Sequence, residues 1–224
     1  MFKKITKILT VFVFLFAFSA TTNAQTSNKN FDGFSIEVGV ANQIQSNNNI
    51  YKEEYYQGEF EGNFIIDPLD GASNSIPRVA INYDIQPFNK FAIGFGGSYL
   101  FGESNDTNND DAYKMTIKNA MSVYVAPTFL VSDTTGIYGK ISYNFANSKF
   151  TDYADNDSQF ISGYGYGFGI KSFVTKNLYL LAEVERINYG KETYNTVDLE
   201  DEYNSIYSIN TKVTNATISL GAKF

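Results

Sequence analysis

The sequence ATISLGAKF, residues 216–224, alternates strictly between two kinds of residue. Apolar side chains occupy every second position and end with Phe224, while Thr, Ser, Gly and Lys stand between them. A period of two residues is the repeat of a β-strand, in which successive side chains point to opposite faces. The apolar face continues to Phe224 and needs a partner there, so we expect a strand that is paired within a larger sheet.

Seven other segments repeat this alternation. They cover about residues 34–41, 78–85, 91–101, 117–129, 137–145, 163–170 and 178–187. In the plainest of them, Tyr164, Tyr166, Phe168 and Ile170 alternate with glycines. With the terminal stretch, these segments predict an all-β protein of eight strands.

The connections between the segments alternate in length. Three are short, at residues 86–90, 131–135 and 174–177. Four are long and polar, at about residues 44–74, 103–114, 146–159 and 188–207. In an up-and-down sheet all the long connections lie at one end, which is the asymmetry of outer-membrane barrels.

The N-terminus has the three parts of a secretory signal. Lys3, Lys4 and Lys7 precede an apolar run over residues 8–18, and Thr22-Asn23-Ala24 fits a cleavage site. The run is shorter than the roughly 20 apolar residues of a transmembrane helix. We therefore expect a cleaved signal peptide over residues 1–24.

Residues 25–224 are then predicted to form one mature domain. Removing three lysines and no acids takes the formal charge from −7 to −10. An acidic chain is a poor partner for nucleic acid, whose phosphates attract basic surfaces. The absence of Cys excludes disulfides and thiolate chemistry, and the absence of His removes the commonest general base and a common metal ligand.

The two faces of the strands favour a membrane barrel. One face is rich in Phe, Tyr, Ile and Val, whereas the other is dominated by Gly, Ala and Ser. A soluble barrel of the lipocalin type, or a sandwich, would need large apolar groups inside and solvated groups outside. Small residues instead suit the interior of a narrow barrel, and the large apolar face suits lipid. Closure requires the first and eighth segments to pair.

The whole pattern resembles the small eight-stranded outer-membrane barrels typified by the OmpA transmembrane domain, OmpX and the opacity proteins. The stretch LYLLAEVERINYG, residues 178–190, reads like the penultimate strand of that family. Ala222 stands where many members carry an aromatic residue. The resemblance implies an all-β, eight-stranded antiparallel up-and-down transmembrane β-barrel, preceded by a cleaved signal peptide, in the cell outer membrane. It also implies outer-membrane lipids and lipopolysaccharide as partners, and barrel-assembly machinery that reads the last strand through Phe224.

Eight charged residues are predicted to face inward. They are Glu37, Arg78, Asp84, Lys118, Lys140, Lys171, Glu183 and Glu185. They either gate a narrow OmpW-like channel for small or hydrophobic solutes, or form buried ion pairs that fill the lumen, and we favour ion pairs because interior charges must be compensated.

Glu183 and Glu185 also invite comparison with a catalytic carboxylate pair. Lys140 and Lys171 on neighbouring strands are predicted to neutralise them. Barrel enzymes of this size use a His that this chain lacks. We therefore predict no enzymatic activity, no catalytic residue, no cofactor and no metal site among these residues.

The long connections carry most of the acids. They include Glu53, Glu54, Glu59, Glu61, Glu103, Asp106, Asp110, Asp111, Asp152, Asp155, Asp157, Glu192, Asp198, Glu200, Asp201 and Glu202. Divalent cations could bind there, although no calcium-loop spacing is present and solvated acids are the simpler interpretation. Tyr51, Tyr55, Tyr56 and Phe60 suggest an adhesive tip, an aromatic girdle or an extended strand wall. The predicted function is that of a structural or surface-exposed, non-enzymatic barrel.

Overall fold

The computed structural model describes residues 30–47, 50–56, 58–66, 69, 71, 73–107, 113–152, 155–198 and 203–224. All the regular structure in this part of the chain is β-strand. The strands are β1 (Gly33–Asn47), β2 (Ile50–Tyr56), β3 (Glu59–Ile66), β4 (Ser73–Phe88), β5 (Phe91–Leu100), β6 (Glu103–Thr107), β7 (Lys114–Leu130), β8 (Thr135–Thr151), β9 (Asn156–Phe173), β10 (Leu178–Asp198) and β11 (Tyr203–Lys223). The predicted signal peptide lies outside the described residues.

Eight of these strands close into a ring. Their order is β1-β4-β5-β7-β8-β9-β10-β11, and every neighbouring pair is antiparallel. The ring closes because β1 pairs with β11 from Ser35 opposite Lys223 to Asn47 opposite Thr211. The Phe224 N–H donates to the Phe34 carbonyl at 2.8 Å, so the pairing continues to the last residue. The eight predicted strands and the predicted closure are confirmed.

The outer wall carries the large apolar side chains. On β1, Ile36, Val38 and Val40 are exposed while Glu37 is buried. Phe224 is 73% exposed on the same outer wall. This outward apolar run, the apolar belt, covers about nine residues on a strand such as β8, which matches the length of a membrane-spanning strand. No helix in the described residues is long and apolar enough to span a membrane.

Strand β7 departs from the predicted alternation. Ile117 is buried and Lys118 is exposed, so both predicted orientations were wrong. The register between β7 and β8 shifts between Lys118 and Met121, and Asn119 has a φ of 55°. This β-bulge adds one residue to the strand and reverses which side chains point inward before it.

The long connections are shorter than predicted because several strands continue beyond the belt. The strands of the ring that extend furthest into them are β1, β8, β9, β10 and β11. The polarity of the faces reverses there: Phe150, Tyr194 and Tyr207 are fully buried, while polar side chains face outward. The segments 50–56 and 59–66 form the additional hairpin β2–β3, and β2 pairs with β11.

Candidate functional site

The candidate site is a network of charged and hydroxyl side chains in the lumen. Seven of the eight charged residues predicted to face inward are buried there. They are Glu37, Arg78, Asp84, Lys140, Lys171, Glu183 and Glu185. They come from β1, β4, β8, β9 and β10, so the network joins strands that are far apart in the sequence.

Lys140 holds the two carboxylates of β10. Its Nζ is 2.8 Å from Glu183 Oε1 and 2.9 Å from Glu185 Oε2. The predicted neutralisation by Lys140 is confirmed. The prediction for Lys171 was wrong, because its Nζ lies 2.5 Å from Asp84 Oδ2, on β4. The two buried carboxylates share one ammonium and form an ion triad, in which Lys140 compensates the charge of both side chains.

Glu37 is the second centre of the network. Arg78 NH1 lies 3.0 Å from its Oε2, and Asn82 Nδ2 donates to its Oε1 at 2.8 Å. The Tyr179 hydroxyl donates to the same Oε1 at 2.9 Å. Arg78 NH1 also donates to Ser219 Oγ. Both oxygens of this buried carboxylate are therefore compensated, as burial of a charge requires.

Three tyrosines complete the network, and each lies over a glycine of the neighbouring strand. The pairs are Tyr124 with Gly96, Tyr138 with Gly169, and Tyr179 with Gly221. Tyr138 donates to Glu183 Oε2 at 2.9 Å, and a Cβ on Gly169 would lie 2.5 Å from its ring. Gly165 and Gly169 of β9 thus make room for inward side chains of the neighbouring strands, whereas a Cβ on Gly163 or Gly167 would meet the backbone of β10. Tyr124 was not identified from the sequence, although its place opposite a glycine was a usable signal.

Three apolar clusters occupy the rest of the lumen. The short-turn cluster comprises Phe31, Ala92, Leu130, Tyr138, Phe173, Tyr179 and Leu181. The middle cluster comprises Ala41, Ile76, Leu100, Ile117, Ala120, Ala146, Ile161, Ile187, Tyr189 and Val213. The long-loop cluster comprises Ile50, Leu69, Met115, Phe150, Tyr194, Tyr207 and Ile209. A cavity of about 10 Å³, bordered by Arg78, Glu185 and Asn215, has room for a single water.

The acids of the third long connection support the wall. Asp152 Oδ2 accepts bonds from Thr196 Oγ1 at 2.6 Å and from the Tyr207 hydroxyl at 2.9 Å. Asp157 Oδ2 accepts the Asn195 N–H at 3.0 Å. Burial, and then the charge of Asp152, raise the pKa of Tyr207. These carboxylates therefore hold the outer part of β10 and β11 in place.

The other predicted acids differ in their surroundings. Asp106 is fully buried, and Asn47 Nδ2 donates to its Oδ2 at 2.6 Å. Asp110, Asp111, Glu200, Asp201 and Glu202 lie outside the described residues. Within the described part of the chain, no group of three or more Asp, Glu, His or Cys side chains is placed to hold a metal ion.

The hairpin β2–β3 extends the wall beyond the belt. Tyr51 is 54% and Phe60 55% exposed, and both faces of β3 are open to solvent. The rings of Tyr55 and Phe60 meet edge to face at 5.6 Å, and Tyr55 donates to Glu53. With β10 and β11, the hairpin forms a protruding four-stranded sheet, the outer sheet. Of the three interpretations of these aromatic residues, the extended strand wall is the one that agrees with the structure.

Several solved structures are similar to this chain. OprG of Pseudomonas aeruginosa matches with a TM-score of 0.55 at 12% identity, covering 89% of this chain and 99% of that chain. Ail of Yersinia pestis, the attachment invasion locus protein, gives 0.46 at 15% identity, covering 86% and 99%. The outer-membrane protease OmpT of Escherichia coli gives 0.49 at 13%, covering 89% and 99%. Comparison with curated proteins finds no match.

The family comparison covers nearly the whole chain. Residues 10–224 match the outer membrane protein beta-barrel domain. The match includes all eight strands of the ring and the lumen network. This chain therefore belongs to the outer membrane protein beta-barrel domain family, and it resides in the cell outer membrane.

Proposed function

We propose that this chain is a non-enzymatic barrel that acts at the cell surface through its outer sheet, while its lumen serves stability. The observation that carries this proposal is a difference in exposure and charge pairing between the lumen and the outer sheet. Lumen charges are paired with one another, whereas β2 and β3, beyond the apolar belt, expose aromatic and acidic side chains next to each other. In this family of folds the short turns face the periplasm and the long connections face the outside.

The lumen argues against the channel alternative. A conducting pore needs a continuous path of water, but here three apolar clusters alternate with polar layers along the axis. Opening such a path would expose Lys140 and its two carboxylates or separate them, and breaking a buried ion pair costs about 3–5 kcal/mol. An eight-stranded ring is also narrow enough for side chains to fill.

The outer sheet has the character of a protein-binding surface. Tyr and Phe provide large contact area, and Glu53, Glu54, Glu59 and Glu61 surround them with negative charge. The expected partner is a protein surface with exposed basic residues. Lipid does not suit this surface, because the aromatic residues are interspersed with acids.

Planar-bilayer recording on the refolded mature chain tests the closed lumen. We expect no reproducible single-channel steps. Steps that change in size when Lys140→Gln or Glu183→Gln is introduced would instead establish the channel.

Whole-cell adherence to protein-coated surfaces tests the outer sheet. A Tyr51→Ser, Phe60→Ser variant should reduce adherence several-fold at an equal amount of folded barrel. Asn204→Ser, which changes an exposed polar residue of the same sheet, is the matched control. Equal adherence of wild type and the aromatic variant would refute the surface role, and protease shaving of intact cells checks that the sheet faces outward.

Recognition by the barrel-assembly machinery is proposed to depend on Phe224. Its ring lies on the lipid side, 6.3 Å from the ring of Phe34, and its N–H completes the closing pair. Deleting Phe224 should lower the yield of heat-modifiable barrel in the outer membrane, whereas Phe224→Tyr should retain most of it. An unchanged yield after deletion would exclude this role.

A further inference from the structure

Six basic side chains lie on the outer wall just beyond the apolar belt, in two groups of three. The β7–β8 cluster consists of Lys114, Lys118 and Lys149. The β10–β11 cluster consists of Arg186, Lys191 and Lys212. All six side chains are at least partly exposed, which is unexpected in a chain of net charge −7.

In the β7–β8 cluster, Lys149 stands between the two other lysines. Lys118 is opposite Asn147, Lys149 is opposite Thr116, and Lys114 is opposite Thr151. Lys149 is thus a diagonal cross-strand neighbour of both lysines, and such positions are about 7–8 Å apart. Glu103 of β6, opposite Lys118, leaves the group with a net positive charge.

The β10–β11 cluster repeats this arrangement. Lys212 is opposite Asn188, with Arg186 opposite Thr214 and Lys191 opposite Asn210. A bulge between Asn188 and Gly190 turns Lys191 to the exposed side. A central lysine again stands opposite a neutral residue and between two diagonal cations.

Clustering of this kind needs a compensating anion. Like charges at neighbouring cross-strand positions repel each other and destabilise the sheet. No ion pair links any of the six to a carboxylate in the described residues, whereas the lumen cations are all paired. The clusters therefore leave room for an anion from outside the chain.

Their height on the wall indicates where that anion comes from. Just below the clusters the outward residues are apolar, including Phe145 on β8, Val184 on β10 and Ile218 on β11. The end with the long connections faces outward in this family. The clusters are thus level with the headgroups of the outer leaflet, where cationic side chains meet anionic lipid groups.

We propose that each cluster binds a phosphate group on a lipid headgroup of the outer leaflet, directly and without a bridging metal ion. Lys149 and Lys212 are the central contacts, and their diagonal neighbours bind the same phosphate from the sides. The ammonium groups of lysine bind phosphate as point charges, and Arg186 adds a planar guanidinium fork. This site is positively charged and lies on the outer wall just beyond the apolar belt, whereas a cation site would be formed by the acidic residues of the long connections.

The test compares the midpoint temperature of unfolding in two kinds of vesicle, measured by the loss of the folded, fast-migrating form. One is phosphatidylcholine alone, and the other is phosphatidylcholine containing lipid A, which carries phosphates. The wild-type midpoint should rise with lipid A, and chelation of divalent cations by EDTA should leave the rise unchanged. Loss of the rise in EDTA would overturn direct binding.

Variants identify the residues. Lys118→Gln with Lys149→Gln should remove about half of the rise, and adding Lys191→Gln and Lys212→Gln should remove nearly all of it. In phosphatidylcholine alone these variants should be as stable as wild type or more stable, because repulsion is relieved. Lys149→Arg should keep the rise.

Lys90→Gln with Lys176→Gln is the control matched to the two-residue variant, because both lysines lie in the short turns at the opposite end and two positive charges are removed in each case. A full rise in the four-residue variant would refute the proposal, and so would a loss in this control equal to that of Lys118→Gln with Lys149→Gln. Inorganic phosphate added to phosphatidylcholine vesicles should give no rise. An equal rise with inorganic phosphate would show a general anion site, which contradicts recognition of a lipid.

Discussion

The ring of Tyr179 lies over the backbone of Gly221, its cross-strand partner, and its hydroxyl donates to Glu37 and is also hydrogen-bonded to the Ser35 hydroxyl. A Cβ at position 221 would overlap the ring of Tyr179. The glycine therefore sets the position of the tyrosine, and the tyrosine carries the network from β10 to β1. Tyr138 over Gly169 and Tyr124 over Gly96 repeat the relationship.

Gly221→Ala should displace Tyr179 and break both of its hydrogen bonds. We expect a loss of about 1–3 kcal/mol, the usual cost of overpacking a filled interior. Unfolding in urea of the barrel in phospholipid vesicles measures it. Gly139→Ala is the control, because nothing lies within 4 Å of a Cβ there. Equal losses in the two variants would contradict the role of close packing.

Lys140→Met should destabilise the barrel by about 3–5 kcal/mol, because it leaves Glu183 and Glu185 buried without their cation. The same urea titration measures this loss. Combining it with Glu183→Gln and Glu185→Gln should restore most of the stability, since no buried charge then lacks a partner. Lys176→Met, in an exposed turn, should change little. A triple variant no more stable than Lys140→Met would show that packing, and not charge, determines the effect.

Phe31 closes the short-turn end of the lumen. It is 1% exposed, and its ring meets that of Phe173 edge to face at 5.0 Å. Phe31→Ala should cost about 3 kcal/mol and speed hydrogen exchange at the ends of β8 and β9. Phe31→Leu retains most of the apolar area and should cost distinctly less. Unchanged exchange in the alanine variant would mean that Phe31 does not seal the lumen.

The long-loop cluster should give the barrel a stability that is sensitive to high pH. Burial raises the pKa of Tyr194 to about 12, and its hydroxyl donates to Ser148 at 2.8 Å. Because the folded pKa lies above the ordinary value of 10.0, the contribution is complete below pH 10 and is lost as the pH rises towards about 12. Ultraviolet titration should show a late-ionising tyrosine that disappears in Tyr194→Phe. Tyr51→Phe, on the exposed sheet, should leave this late phase intact.

Much of the candidate site was predictable from the period-two pattern. Glu37, Lys140, Glu183 and Glu185 all face the lumen as the alternation predicts, because a strand paired on both sides has no freedom to turn one side chain round. The orientation of Lys118 was predicted wrongly because the bulge at Asn119 adds one residue to the strand. The alternation of apolar and polar residues in the sequence does not reveal this extra residue.

The parts of the strands that continue beyond the apolar belt were not predicted, for a different reason. On the membrane-spanning part of β8 the outward face is apolar, whereas beyond it Phe150 points inward and Lys149 outward. A reversal of polarity within one continuous strand looks like the end of that strand in the sequence. At that level the medium around the outer face changes from lipid to water, so the outward side chains change from apolar to polar.

The sequence by itself determined the class of fold, the closing strand that ends at Phe224 and the inward placement of the lumen charges, because these depend on local alternation. Only the tertiary structure decided which charges pair: Lys140 with both carboxylates of β10, and Lys171 with Asp84 of β4. It also brought basic residues of adjacent strands together on the outer wall. Such partners depend on register, shear and bulges, which closure of the whole ring determines and no single strand encodes.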